Sequence, residues 1–203
     1  MSRAILPLRR SGNYTRVDGV ITVMAIDVGS INTAIMITEI DHTRTKREVL
    51  YFNLVDFSEM GKLLKAPRGM GSISGALYQA AVNHITGLGN IYSVTHVLVE
   101  GQLSQNTVCK VLAETITCSA STAWPDAWVF TVPASFKMMF SEEKFKTHRE
   151  RKKYAVETAE KFLSELYDPI VLSSWRSHAK RDDLSDVLCY TEAFVKTFPF
   201  KYV

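Results

Sequence analysis

A chain of 203 residues, 46% hydrophobic and 22% charged, is long enough for one globular domain with a sizeable core and too apolar to be disordered throughout. No stretch reaches the roughly 18 uncharged residues that a membrane helix needs, so a soluble protein is expected, and three cysteines without a C-x-x-C pair offer neither a zinc ribbon nor a redox dithiol. The net charge is +3, yet the first 20 residues hold Arg3, Arg9, Arg10 and Arg16 against Asp18, which leaves 20 basic and 20 acidic side chains to cancel in the body.

Residues 1–20 therefore read as a basic tail. It is a flexible terminus or, from its arginines and scarcity of acids, a mitochondrial transit peptide interrupted by Pro7, and the flexible terminus is preferred. Val20 to Ile26 is apolar and rich in β-branched residues, the pattern of a strand covered on both faces. It runs into Asp27, and Gly29 permits a sharp turn into a second apolar run, Ala34 to Ile40. Glu48 to Val55 is a third extended segment. Three strands on short turns predict an antiparallel meander. Residues 56–71 read as a loop whose Lys62, Lys65 and Arg68 are solvated or touch a phosphate backbone.

Ser72 to Leu88 has helical spacing, with Ile73, Leu77, Ala80, Ala81 and Ile85 on one stripe. Thr95 to Glu100 is a short strand ending in an acid. Ser104 to Ser119 carries Val108, Val111, Leu112 and Ile116 at helical spacing, with Ser104 and Asn106 as candidate caps. Trp128 to Pro133 is another strand. Thr147 and Glu150 form a capping box that opens a helix to about Leu166. Its first turns carry Arg149, Arg151, Lys152 and Lys153, against the preference of the helix dipole, as a solvated face or a phosphate-binding edge. Residues 168–181 read as a loop, and Asp183 to about Thr197 as the last helix. Cys109, Cys118 and Cys189 read as small core residues in a reducing, intracellular compartment.

This order predicts an α/β fold, a mixed sheet flanked by helices. Asp27 inside so apolar a run needs a metal ion, a cation or several donors unless it only caps the turn. If the first and fourth strands are neighbours, Glu100 projects beside it. Asp183 and Asp186 share a helix face, as do Asp182 and Asp186. Four carboxylates gathered in this way repel unless a cation holds them, and hard oxygen ligands select magnesium or manganese.

Three segments then carry a resemblance. Ala25-Ile26-Asp27-Val28-Gly29-Ser30-Ile31-Asn32, Val97-Leu98-Val99-Glu100-Gly101-Gln102 and Lys180-Arg181-Asp182-Asp183-Leu184-Ser185-Asp186 resemble the acidic motifs of RuvC-type Holliday junction resolvases, in the poxvirus and iridovirus branch or the fungal mitochondrial branch. The resemblance extends over roughly residues 21 to 195. It implies an RNase H-like fold of five strands, three antiparallel and then parallel, as one nuclease domain over 21–203. It also implies a homodimer, no membrane, and nicking of four-way DNA junctions with two Mg2+ ions or Mn2+ in their place, leaving 5′-phosphate and 3′-hydroxyl ends. Asp27, Glu100, Asp183 and Asp186 would then be the catalytic metal ligands, Asp183 being preferred to Asp182 because the family's last two acids are three apart. Lys137, after a strand ending in proline, would neutralise the scissile phosphate, with Lys153 as second candidate. Lys137, Lys144, Lys146, Arg149, Lys152 and Lys153 would grip DNA. The site of action would be a viral replication compartment or the mitochondrial matrix. The basic tail and the long 168–181 segment depart from shorter members.

Two other readings compete. D-x-G followed by small residues also opens the phosphate loop of actin-like and sugar-kinase-like phosphotransferases, but these need two lobes and a second glycine-rich loop that the sequence does not show. A protein that binds junctions without cutting them has no use for four acids on one site.

Overall fold

The computed structural model describes residues 19–41, 45, 47–63, 73–102, 105–141, 145 and 147–198. Its elements are β1 (Val20–Asp27), β2 (Thr33–Asp41), β3 (Arg47–Val55), α1 (Phe57–Leu63), α2 (Ile73–Gly89), β4 (His96–Glu100), α3 (Thr107–Ala123), β5 (Trp128–Val132), α4 (His148–Leu166), α5 (Pro169–Arg176) and α6 (Arg181–Thr197), with a 3-10 turn at Ala134–Met138. The strands form one sheet in the order β3-β2-β1-β4-β5. β1 is antiparallel to β2, and β2 to β3, whereas β4 runs parallel to both β1 and β5. This is the predicted mixed sheet, with β1 at its centre.

Because successive strand residues point to opposite faces, the central strand divides its side chains between two cores. Ile21, Val23 and Ala25 pack with Leu98 beneath α4, α5 and α6. Met24 and Ile26 pack with Ile35, Ile37 and Val97 beneath α1, α2 and α3. Both faces are thus covered, as the unbroken apolar run of β1 requires. Among the described residues, no helix is long and apolar enough to cross a membrane.

Two helices stand where loops were expected. α5 starts at an Asp168 cap, whose side chain accepts from Ile170 N at 2.7 Å, with Pro169 in the first turn. It buries Val171 and Trp175. α1 is a short helix over Phe57–Leu63 that buries Phe57, and it crosses α2 so closely that a Cβ on Gly61 would stand 2.9 Å from Ala76 C. Lys65 and Arg68 lie outside the described residues, and Lys62 pairs with Glu59 at the surface. α3 also differs in its inner face. Leu112 and Ile116 are buried, but Val108 is 45% exposed because the helix begins at Thr107, with Val108 in a first turn that projects from the core. Cys118 is exposed as well, whereas Cys109 and Cys189 are buried. Of the two expected caps, Asn106 accepts from Cys109 N, and Ser104 lies outside the described residues.

α6 is buried over Leu184–Val195, including Glu192. Arg47 reaches it from the start of β3 as a two-pronged ion pair, Nε to Oε1 at 2.9 Å and Nη2 to Oε2 at 3.1 Å. The Tyr167 hydroxyl donates to the same carboxylate at 2.7 Å. Removing one partner of such a pair strands the other charge. Arg47→Met is expected to lower unfolding free energy by about 3–5 kcal/mol, and Arg47→Met with Glu192→Met to recover most of that loss. Denaturant titration of the two variants checks this.

Candidate active site

Asp27 ends β1 and Glu100 ends β4. The strands are parallel neighbours in register as far as Ile26 and Val99, so one further step sets the two acids side by side. Alternation decides their face. Asp27 follows Ile21, Val23 and Ala25, and Glu100 follows Leu98, toward the layer that holds α6. Beneath the turn, Thr33 is fully buried and its hydroxyl donates to Gly29 O. A Cβ at Gly29 would lie 2.7 Å from Asn32 O, so the chain can leave Asp27 this tightly only through glycine.

Asp183 and Asp186 meet these acids from the first two turns of α6. After β5, Pro133 and the 3-10 turn carry Lys137 over the strand ends, where its Nζ donates to Asp186 Oδ2 and lies 5.5 Å from the Tyr190 ring centroid. A cleft of about 340 Å³ opens here, lined by Glu100, Ser135, Lys137, His148, Lys152 and Asp186 among others.

The charges show how closely the groups interact. Burial, a hydrogen bond with Glu100 and the charges of Glu100 and Asp183 hold the Asp27 carboxyl well above its usual range, against the pull of Lys137. Burial pushes Asp186 up to about 6, with Lys137 lowering it and Asp27 and Asp183 raising it. Asp183 is raised too, by burial and then by Asp182. Burial opposes the charge on Lys137, but Asp186, Asp27 and Glu100 outweigh it and raise the pKa of the ammonium.

Of the residues singled out in the sequence, Asp27, Glu100, Lys137, Asp183 and Asp186 come together at this end of the sheet. Asp182 faces elsewhere. It takes the ammonium of Lys152 from α4, which lies 3.5 Å from Asp183 Oδ1. Lys153 points outward and pairs with Glu157 at 3.7 Å, away from the gathered acids, and Arg149 is exposed on the first turn of α4. Lys144 and Lys146 lie outside the described residues. His178 is half-buried in the link between α5 and α6, its Nδ1 accepting from Lys180 N at 3.3 Å. Sequence reasoning missed Ser135, His148 and Tyr190. For Tyr190 the available signal was its position four residues beyond Asp186, on the same helix face.

The donor set suits a hard divalent cation. It is made of carboxylate oxygens, and burial and like charges hold the Asp27, Asp183 and Asp186 carboxyls above their usual range, a cost that a bound cation relieves. Among the described residues, no three acidic, histidine or cysteine side chains stand at ligating spacing, and the charge within the cluster is the Lys137 ammonium.

These shifts carry a sign. An acid whose folded pKa is raised above its unfolded value of about 3.9 contributes stability below that value and loses it as pH rises through the folded pKa. For Asp186 the window is about pH 4 to about 6, and Asp27 acts in the same direction. In chelator, Asp27→Asn is therefore expected to melt at or above the wild-type temperature at pH 7 and to lose that advantage at pH 4. Calorimetry at both pH values checks it, and a variant that melts lower at pH 7 contradicts it.

No protein-family model matches the sequence, and no curated protein matches it either. Solved structures do. The fowlpox virus Holliday junction resolvase superposes with a TM-score of 0.59 at 14% identity, over 88% of this chain and 100% of that one. The yeast mitochondrial Holliday junction resolvase gives 0.57 at 12% identity, over 86% and 82%. Thermus thermophilus RuvC gives 0.54 at 10% identity, over 87% and 96%. The resemblance read from the three acidic motifs thus holds at the level of fold, with viral and mitochondrial examples alike, and the chain has the RNase H-like fold of the RuvC-type Holliday junction resolvases.

Proposed function

We propose that the protein is a metal-dependent endonuclease that resolves four-way DNA junctions by paired nicking. The observation that carries this reading is the meeting of Asp27, Glu100, Asp183 and Asp186 at one end of the sheet, with Lys137 among them. A structure of the fowlpox virus enzyme is of its complex with substrate Holliday junction DNA. The nuclease domain spans 21–203 behind a basic tail, and the reading suits a viral replication compartment or the mitochondrial matrix.

Asp27, Glu100, Asp183 and Asp186 would hold two Mg2+ ions, or Mn2+. Bound there, such ions lower the pKa of a coordinated water and stabilise the leaving oxygen of a phosphodiester. The chain supplies the rest. Lys137 is held over the acids by Asp186 and the Tyr190 ring, so a phosphate entering the cleft can take its ammonium. Lys152, Arg151 and His148 line the same cleft from the start of α4 and would hold backbone phosphates, with Arg149 and Lys153 on the exposed flank. Lys144 and Lys146 continue this basic segment in sequence. Contacts of this kind read the shape of DNA rather than its bases. Nicking two strands of one junction requires two such clefts, which a twofold homodimer provides.

Asp27→Asn is expected to retain junction binding and lose cleavage by at least about a hundredfold, on the scale of removing a group that acts only in the transition state. A labelled four-way junction incubated with Mg2+ or with chelator measures both, and persistent cutting by the variant defeats the assignment. Lys152→Gln is expected to weaken binding to all junction sequences alike and to reduce the slope of log K against log[salt] by about 1. A salt titration of junction affinity checks it.

A further inference from the structure

Tyr190 is wholly buried in α6, one turn beyond Asp186 and on the same face. Among the described residues no hydrogen bond of good geometry satisfies its hydroxyl. A buried hydroxyl in that state is costly, and phenylalanine would fill the space without it. Burial holds its proton firmly, the charges of Glu100, Asp27 and Asp186 add to that, and its approach to Glu100 as a hydrogen-bond donor adds least, so the group is a donor set among acceptors with Glu100 in reach. Glu100 is meanwhile engaged in a hydrogen bond with Asp27.

We infer that Tyr190 is a positioning residue, whose hydroxyl donates to Glu100 once that carboxylate leaves Asp27 to ligate a divalent cation. The inference rests on the metal-dependent reading above. A ligating carboxylate gives one oxygen to the ion and is oriented by a hydrogen bond to the other. Within the fold, Tyr190 is placed for that second bond, since its ring also lies under Lys137 at 5.5 Å and so reaches into the cluster from below. Glu100 is thus approached by both Asp27 and the phenol, and only the phenol brings a neutral donor.

Tyr190→Phe keeps the ring and removes only the hydroxyl. Mn2+ titration of the DNA-free protein, by calorimetry or by loss of the free-ion paramagnetic resonance signal, is expected to show affinity lowered by about tenfold in the variant. In chelator the variant is expected to melt no lower than wild type, since a buried hydroxyl without a well-formed hydrogen bond has gone. Binding equal to wild type overturns the inference. So does weaker binding accompanied by a lower melting temperature in chelator, which would make the hydroxyl a structural group. Wild-type protein that takes up no Mn2+ removes the metal-dependent reading itself, and the variant comparison keeps that outcome separate from the other two.

Discussion

Carboxylates drawn together in a poorly solvated place repel one another, and the architecture around Asp27 is what keeps them in place. The sheet fixes Asp27 through its backbone pairing with Ala34 and Glu100 through its pairing with Val132. The other two acids arrive on α6, which is buried for most of its length and pinned to β3 by the Arg47–Glu192 pair. Burial of that helix stabilises by far more than the acids cost, because each large apolar side chain contributes about 1.5–3 kcal/mol. The Lys137 ammonium then relieves part of the remaining repulsion. Strain of this kind, concentrated at one end of an otherwise well-satisfied fold, is expected where chemistry is done.

Much of this was legible in the chain because the decisive signals are local. An acid that closes a run such as Val20 to Ile26 is conspicuous, and the period of two along a strand settles which face it takes. The capping box at Thr147 and Glu150 marks the start of α4 to the residue. What escaped were features that depend on contacts remote in sequence. α1 is a single short helix whose existence depends on the close approach of Gly61 to α2. Val108 and Cys118 fit an inward stripe by spacing, but the core covers only the face of α3 that carries Leu112 and Ile116. α5 is a different case. Its Asp168–Pro169 start and the spacing of Val171 and Trp175 were a readable helix signal, overlooked because the segment also holds polar residues.

The lysines illustrate the same division. Nothing in the spacing of Lys137, Lys152 and Lys153 separates them, yet in the fold one enters the acids, one bridges α4 to the start of α6, and one pairs along its own helix at the surface. The choice between Asp182 and Asp183 was equally open to helix geometry, since either can share a face with Asp186. In the fold Lys152 engages Asp182 at 2.5 Å and Asp183 at 3.5 Å.

Dividing the apolar side chains of β1 between two cores has a consequence for how the protein can change. The layer of α4, α5 and α6 brings Asp183, Asp186 and the basic cleft to the side of the sheet that Asp27 and Glu100 face, so alterations there reach the acids directly. The layer of α1, α2 and α3 backs the sheet from the far side and contributes none of the gathered acids or the lysine among them. Selection can therefore remodel that backing for new associations while inheriting the gathered acids intact, and laboratory evolution has a hemisphere in which to work.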